Sequence, residues 1–373
     1  MRIHTVSAEI LRYELEVPMA DAQINIPDRI CVLVRIRTDD GAEGIGEAAG
    51  FGGSHVTVKT IIEQQLAPLL LGEDPLLIGR QWDRMYRGTA PVGRRGAVVA
   101  AISGVDVALW DLMGKVAGRP VYQLLGGTRS RIRGYASAGF YMDGKGPDEL
   151  AAEMEAYVGS GFTAAKMKIA ALSVKEDVAR VRAVRNAVGP DTRLMIDANN
   201  QYSAKQALRM AAEVEQFDIT WFEEPVPVDD FEGARTVYAG TSIPIAGYET
   251  ETTRWGFRDL IARGTVDIVQ PDAIWSGGIS EAFRIAALAS AWNLPLAPHN
   301  FAGAVSAFAN LHLLMAAPTG LIFEMDQNPN PLRTDIVRTP LDIGKDGFVD
   351  APTMPGLGFE LDEGVAARFR IDR

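Results

Sequence analysis

Seven polar residues recur through the middle of the chain at a nearly constant step. Lys168, Asp197, Glu223, Glu249, Asp272, His299 and Glu324 are separated by 29, 26, 26, 23, 27 and 25 residues. One strand–helix unit takes about that length, so each residue falls at the same place in its own unit. Asp197, Glu223 and Glu249 bring three carboxylates toward one point, which repel each other unless a cation sits among them. Oxygen donors without sulfur favour Mg²⁺, or Mn²⁺, over zinc. Lys166 and Lys168 point the same way on a strand, as do Asp197 and Asn199. The two ammonium groups, near a metal, lower each other's proton affinity and make a neutral Lys168 available as a base, while Lys166 balances the acidic cluster. His299 and Asp272 end neighbouring units, and a carboxylate beside a histidine fixes its tautomer and raises its basicity. Glu223 and Glu224 are adjacent and point to opposite faces of a strand, so only one enters the site; the period does not say which.

The elements that must position these residues are short apolar strands. Strands are expected at 133–137, 164–169, 194–199, 220–224, 243–249, 267–272, 295–300 and 321–326, with helical patterns between them, for example at 174–188 and 279–292. Eight alternating units imply a closed parallel (β/α) barrel, whose active site lies at the C-terminal ends of its strands. The first third reads differently. Strands at 30–37 and 42–48 flank an Asp39-Asp40-Gly41 turn, and helical patterns follow at 55–71 and 95–117, the second stopped by Gly118 and Pro120. The expected organisation is an α+β capping domain over 1–125, the barrel over 126–335, and a segment over 336–373 packing back on the capping domain. The 18–29 loop and the 50–53 turn are expected to cover the barrel mouth, with Arg29, His55, Tyr141 and Trp275 as pocket residues.

Bulk properties exclude several classes. The chain has 373 residues, 47% hydrophobic and 23% charged, which suits a globular protein with one large and one smaller domain. A net charge of −11 argues against a nucleic-acid surface. Cys31 is the only cysteine, which rules out a disulfide framework and a cysteine metal cluster. No run approaches about 20 uninterrupted apolar residues, so no membrane span is expected, and with no leader pattern a cytoplasmic location is the default.

Taken together, Lys166-Met167-Lys168, Asp197-Ala198-Asn199, Glu223-Glu224-Pro225, Gly247-Tyr248-Glu249, Pro271-Asp272 and Pro298-His299 resemble the mandelate racemase subgroup of the enolase superfamily. The likeness extends to Ala108-Leu109-Trp110-Asp111-Leu112, Leu124-Leu125-Gly126-Gly127 and Pro355-Gly356-Leu357-Gly358. It implies Mg²⁺ on Asp197, Glu223 and Glu249, with Lys168 and the His299–Asp272 pair as acid/base groups on opposite faces of the substrate. Lys166 and a protonated Glu324 would contact the carboxylate of a small-molecule acid, with Asn199 close by. Abstraction of the proton α to that carboxylate gives an enediolate. The resemblance favours its collapse by dehydration of a sugar acid or aldarate to a 2-keto-3-deoxy acid. Cycloisomerisation of an aldarate lactone, racemisation or epimerisation of a 2-hydroxy acid, and a silent sugar-acid binding protein are the alternatives. Superfamily members commonly form homo-oligomers. The muconate-lactonising subgroup is excluded, because it carries a lysine at the sixth strand end and this chain has none between Lys205 and Lys345. Tyr248 stands where a glycine is usual, which bears on pocket size.

Overall fold

The computed structural model describes residues 1–371; residues 372 and 373 of the expected C-terminal segment lie outside the described residues. An antiparallel sheet opens the chain in the order β1 (Ile3–Ala20), β2 (Asn25–Thr38), β3 (Glu43–Ala48). Sequence patterning missed β1. Val6, Ala8 and Ile10 alternate toward one face, and from Leu11 onward the apolar residues switch to the other. The strand is covered on both sides, so neither alternation runs long enough to read.

The helix Ala97–Ala117 packs across β3 and ends at Gly118, whose left-handed φ of 63° suits a glycine stop. Gly44 and Gly46 permit the approach: a Cβ at Gly46 would lie 2.1 Å from the Gly104 carbonyl oxygen. By length and composition this helix could cross a membrane, but 83% of its apolar window is buried inside the fold.

The second sheet is parallel and follows the order β4 (Arg131–Ser137), β5 (Ala164–Lys168), β6 (Arg193–Asp197), β7 (Ile219–Glu223), β8 (Ile245–Gly247), β9 (Ile268–Val269), with β10 (Phe323–Asp326) pairing back on β4. The strand expected at 295–300 is reduced to bridges from Leu296 to Val269 and to Gly320. Pro295 and Pro298 lack the N–H a longer ladder needs. The barrel still closes there, through Ala297 N–H to the Val269 carbonyl and Leu321 N–H to the Leu296 carbonyl, at 3.0 and 2.8 Å. Inside it, Tyr135, Ala164, Met195, Trp221, Ala246, Ile268, Ala297 and Ile322 form one packed layer, one residue from each strand position.

The last segment divides its contacts. β11 (Phe348–Asp350) pairs antiparallel with β4 of the barrel. Beyond it, Leu357 N–H reaches Asp111 Oδ1 at 2.9 Å and Ile371 N–H reaches the Ile10 carbonyl at 3.0 Å, both in the capping unit.

Candidate active site

The packed layer dictates what stands above it. Two residues beyond seven of its members come Ser137, Lys166, Asp197, Glu223, Gln270, His299 and Glu324, which period-two alternation keeps on the barrel's inner side. Lys168 and Asn199 are one step higher. The eighth position departs from the rule: Tyr248 packs in the outer core and Glu249 is the residue that reaches the cavity.

These groups are buried and pair closely. Lys166 Nζ lies 2.5 Å from Glu223 Oε1, 2.9 Å from Glu324 Oε1 and 3.7 Å from Asp197 Oδ2. Lys168 Nζ is 2.6 Å from Asp197 Oδ2. His299 sets Nδ1 at 2.8 Å from Asp272 Oδ2 and Nε2 at 3.2 Å from Glu249 Oε2. Glu223 Oε2 accepts from Trp221 Nε1 and Gln270 Nε2, both at 2.9 Å.

Two groups pair in ways that oppose their expected charge states. Burial alone would depress Lys168, but Asp197 beside it outweighs both burial and the repulsion of Lys166, and the amine is held above its ordinary value as an ammonium. Glu324, expected as a protonated donor, is drawn toward its ionised form. Burial opposes ionisation, yet Lys166, His299 and a hydrogen bond from Ser137 bring it down to about 2, and Asn300 N–H also donates to it at 2.9 Å. His299 shows the reverse balance: against burial, Glu249 and the bond to Asp272 push it up to about 10.

A cavity of about 470 Å³ opens above these residues. Lys168, Asn199, Glu249 and His299 line it from the barrel, and Asp21, residues 23–30, 50–53 and His55 line it from the capping unit. Glu224 lines it too, contrary to strict alternation. Its φ of +43° breaks the strand geometry, and it accepts from Glu249 N–H at 2.7 Å and from Asn200 Nδ2.

Three expected pocket residues have other work. Tyr141 donates to Asp177 Oδ1 at 2.7 Å and lies under the Arg180 guanidinium, away from the lining. Trp275 backs the lining residue Phe51 at 5.6 Å between ring centroids and donates to the Thr250 carbonyl. Arg29 borders the cavity, but its guanidinium is 3% exposed, stacks on Phe301 and pairs with Asp326. It is a strut.

The donor set fits a hard divalent cation. Asp197, Glu223 and Glu249 supply only oxygen; Asn199 Oδ1 is buried without a hydrogen-bond partner, and Glu249 Oε2 meets only the His299 imidazole. Burial and the Asp197 and Glu324 carboxylates push Glu223 up to about 7 despite Lys166. Among the described residues no three acidic or histidine groups converge closely enough to enclose an ion; the lysines and His299 draw the carboxylates instead.

Sequence reasoning missed Gln270 and Trp221, which hold Glu223, and Asn310, which donates to Asp272 from another element. For the first two a signal existed: both lie on the same strand face as the ring residues.

Residues 5–126 match the family described as mandelate racemase / muconate lactonizing enzyme, N-terminal domain, and residues 149–365 match enolase C-terminal domain-like. An arabinonate dehydratase of Saccharolobus solfataricus is 42% identical, over 91% of this chain and 90% of the relative. A D-galactarolactone cycloisomerase of Agrobacterium fabrum is 36% identical, over 100% and 99%. Among solved structures, a racemase from Streptomyces coelicolor with bound magnesium is 31% identical with a TM-score of 0.91, covering 99% of this chain and 100% of its own. The chain is a member of the enolase superfamily, in its mandelate racemase subgroup.

Proposed function

We propose that the chain dehydrates a sugar acid or aldarate to a 2-keto-3-deoxy acid, with Mg²⁺ held by Asp197, Glu223 and Glu249. The observation that carries this reading is that Lys168 and His299 line one cavity from well-separated strand positions. Around the barrel, Glu324 and Ser137 lie between them on one side, and Asp197, Glu223 and Glu249 on the other. Two proton carriers so divided can work on opposite faces of a substrate whose carboxylate sits between them.

With Asp197 and Glu249 engaged by the cation, the attraction that keeps Lys168 and His299 protonated weakens, and one of the two takes the α-proton as the C–H bond breaks. The other delivers a proton to the β-hydroxyl, which leaves as water when its C–O bond breaks, and the resulting enol tautomerises to the ketone. Asp272 on Nδ1 leaves Nε2 as the reacting nitrogen of His299. Lys166, paired with Glu324, offers positive charge to the substrate carboxylate as it gains electron density. Mg²⁺, when bound, supplies Lewis-acid stabilisation of that same charge. The magnesium-bound Streptomyces relative and the arabinonate dehydratase support the reading.

A second reading, cycloisomerisation of an aldarate lactone, is favoured by the cavity wall. Phe51, Phe140 and Phe301 line the space, and apolar rings there suit a cyclic substrate better than an extended polyol. The Agrobacterium relative supports it.

Proton NMR of purified protein with Mg²⁺ in D₂O, against a panel of aldonates, aldarates and their lactones, tests both. Loss of an α-proton signal with growth of a 3-deoxy methylene is the expected result, abolished in Lys168→Ala and His299→Asn. An isomerised lactone without a methylene signal selects the second reading. No exchange on any compound sinks both.

A further inference from the structure

Asp272 makes more contacts than pairing with His299 requires. Its Oδ2 faces His299 Nδ1 at 2.8 Å, while its Oδ1 accepts from Asn310 Nδ2 and from Ile274 N–H, both at 3.0 Å. Asn310 is fully buried, and its own Oδ1 accepts the Ala273 N–H at 2.9 Å. That acceptor role fixes which end of the amide is oxygen, so Nδ2 has to face Asp272. With one oxygen tied to an amide, the carboxylate presents the other to the imidazole in a fixed plane.

Asn310 lies on the helix Ala304–Ala316, whose N-terminus is held by the other domain. Glu47, on β3, accepts Gly303 N–H at 2.7 Å and Ser306 N–H at 2.8 Å, one on each carboxylate oxygen. These amides are among the donors a helix start leaves without partners. A Cβ at Gly303 would lie 2.9 Å from both Glu47 oxygens, so the glycine admits the carboxylate. The loop that follows Asp272 is clamped by the same domain. Ser103 Oγ accepts Gly277 N–H at 2.8 Å, and Asp106 Oδ2 accepts Ser280 N–H at 2.9 Å.

We propose that Asn310 is a positioning residue for the Asp272–His299 pair, and that Glu47 sets the place of Asn310 from the capping domain. The domain that covers the cavity then also orders one of its two proton carriers. The chemical meaning of the pair rests on the function proposed above; its geometry does not.

The test reads the imidazole. In protein labelled with ¹⁵N-histidine, a ring proton bonded to a carboxylate resonates far downfield, and His299→Asn identifies the signal by removing it. Asn310→Leu keeps the size and removes all three amide contacts, the 3.4 Å bond to Ser306 Oγ included. Glu47→Gln keeps the shape and withdraws one acceptor oxygen. In both variants the His299 signal is expected to move or exchange faster with water, more so in Asn310→Leu. The His312 signals, two residues along the same helix, should hold still. Turnover should fall about 10- to 100-fold in kcat with KM little changed. An unmoved His299 signal in folded Asn310→Leu, or equal displacement of His299 and His312, overturns the proposal. Glu47→Gln keeps the test decisive if Asn310→Leu does not fold, because an unmoved signal there overturns it too. If the wild type turns over no compound, the functional reading falls and the imidazole signal still decides this one.

Discussion

Acidification should lower stability through a histidine far from the cavity. His312 is wholly buried; its Nδ1 accepts the Tyr122 N–H at 3.1 Å, and its Nε2–H donates to the Leu357 carbonyl at 2.9 Å. Both nitrogens are committed, one as an acceptor, so a second proton cannot bind without breaking the Tyr122 bond. Burial depresses the imidazole from 6.5 to about 4, and the Leu357 carbonyl offsets only part of that. The unfolded chain takes up the proton near pH 6.5, the folded one near 4. Between those values the unfolded state binds more protons, so stability falls as the pH falls. The loss reaches about 2 kcal/mol by pH 5 and about 3 kcal/mol by pH 4. Glu47 and Asp106 act in the opposite sense. Burial pushes each up to about 7, so their contribution is lost as the pH rises through that range. A difference measurement removes them. His312→Gln retains a donor and an acceptor without the titration. Urea unfolding followed by tryptophan fluorescence should show the wild type more stable at pH 7, with that advantage about 2 kcal/mol smaller at pH 5. Parallel pH profiles for the two proteins would refute the reasoning.

Replacing Asp272 with Asn should cut the His299-dependent proton transfer by about 10²- to 10⁴-fold, read as deuterium incorporation by NMR. Chelation with EDTA should abolish α-proton exchange and added Mg²⁺ restore it, and Glu249→Gln should weaken Mg²⁺ binding in a calorimetric titration. Gly46→Ala forces a Cβ against backbone at 2.1 Å and should lower stability by about 1–3 kcal/mol or more, seen as a reduced thermal midpoint. Tyr141→Phe should cost about 1 kcal/mol of stability through its lost bond to Asp177 and leave KM unchanged, since the hydroxyl faces that carboxylate and not the cavity.

The ring of site residues was legible because one geometric rule produces it. A strand repeats its side-chain direction every two residues, and a barrel repeats its strands at the length of a βα unit. Lys166, Asp197, Glu223, His299 and Glu324 satisfy both periods, and so does Gln270, whose neutral side chain drew no attention. The rule failed where the backbone leaves strand geometry. Glu224, at a φ of +43°, turns into the cavity beside its neighbour, and the seventh strand, between two prolines, narrows to bridges.

Charge states were not legible, because they depend on distances that spacing does not contain. A lysine pair on one strand face suggests mutual repulsion and a neutral amine. The outcome turns on Asp197 standing 2.6 Å from Lys168, a contact made across strands. Glu324 likewise depends on Lys166 at 2.9 Å. The contacts that tie the two domains together are more remote still. Glu47 meets Gly303 and Ser306 across 256 and 259 residues of chain, and no period links a β3 carboxylate to the first turn of a barrel helix. Such a residue reads as an ordinary strand glutamate until the fold buries it. Once buried, its carboxylate stands against free helix amides, and the helix it holds carries the amide that touches Asp272. Chemistry at the barrel mouth therefore depends on a residue that lies outside the ring and outside the cavity.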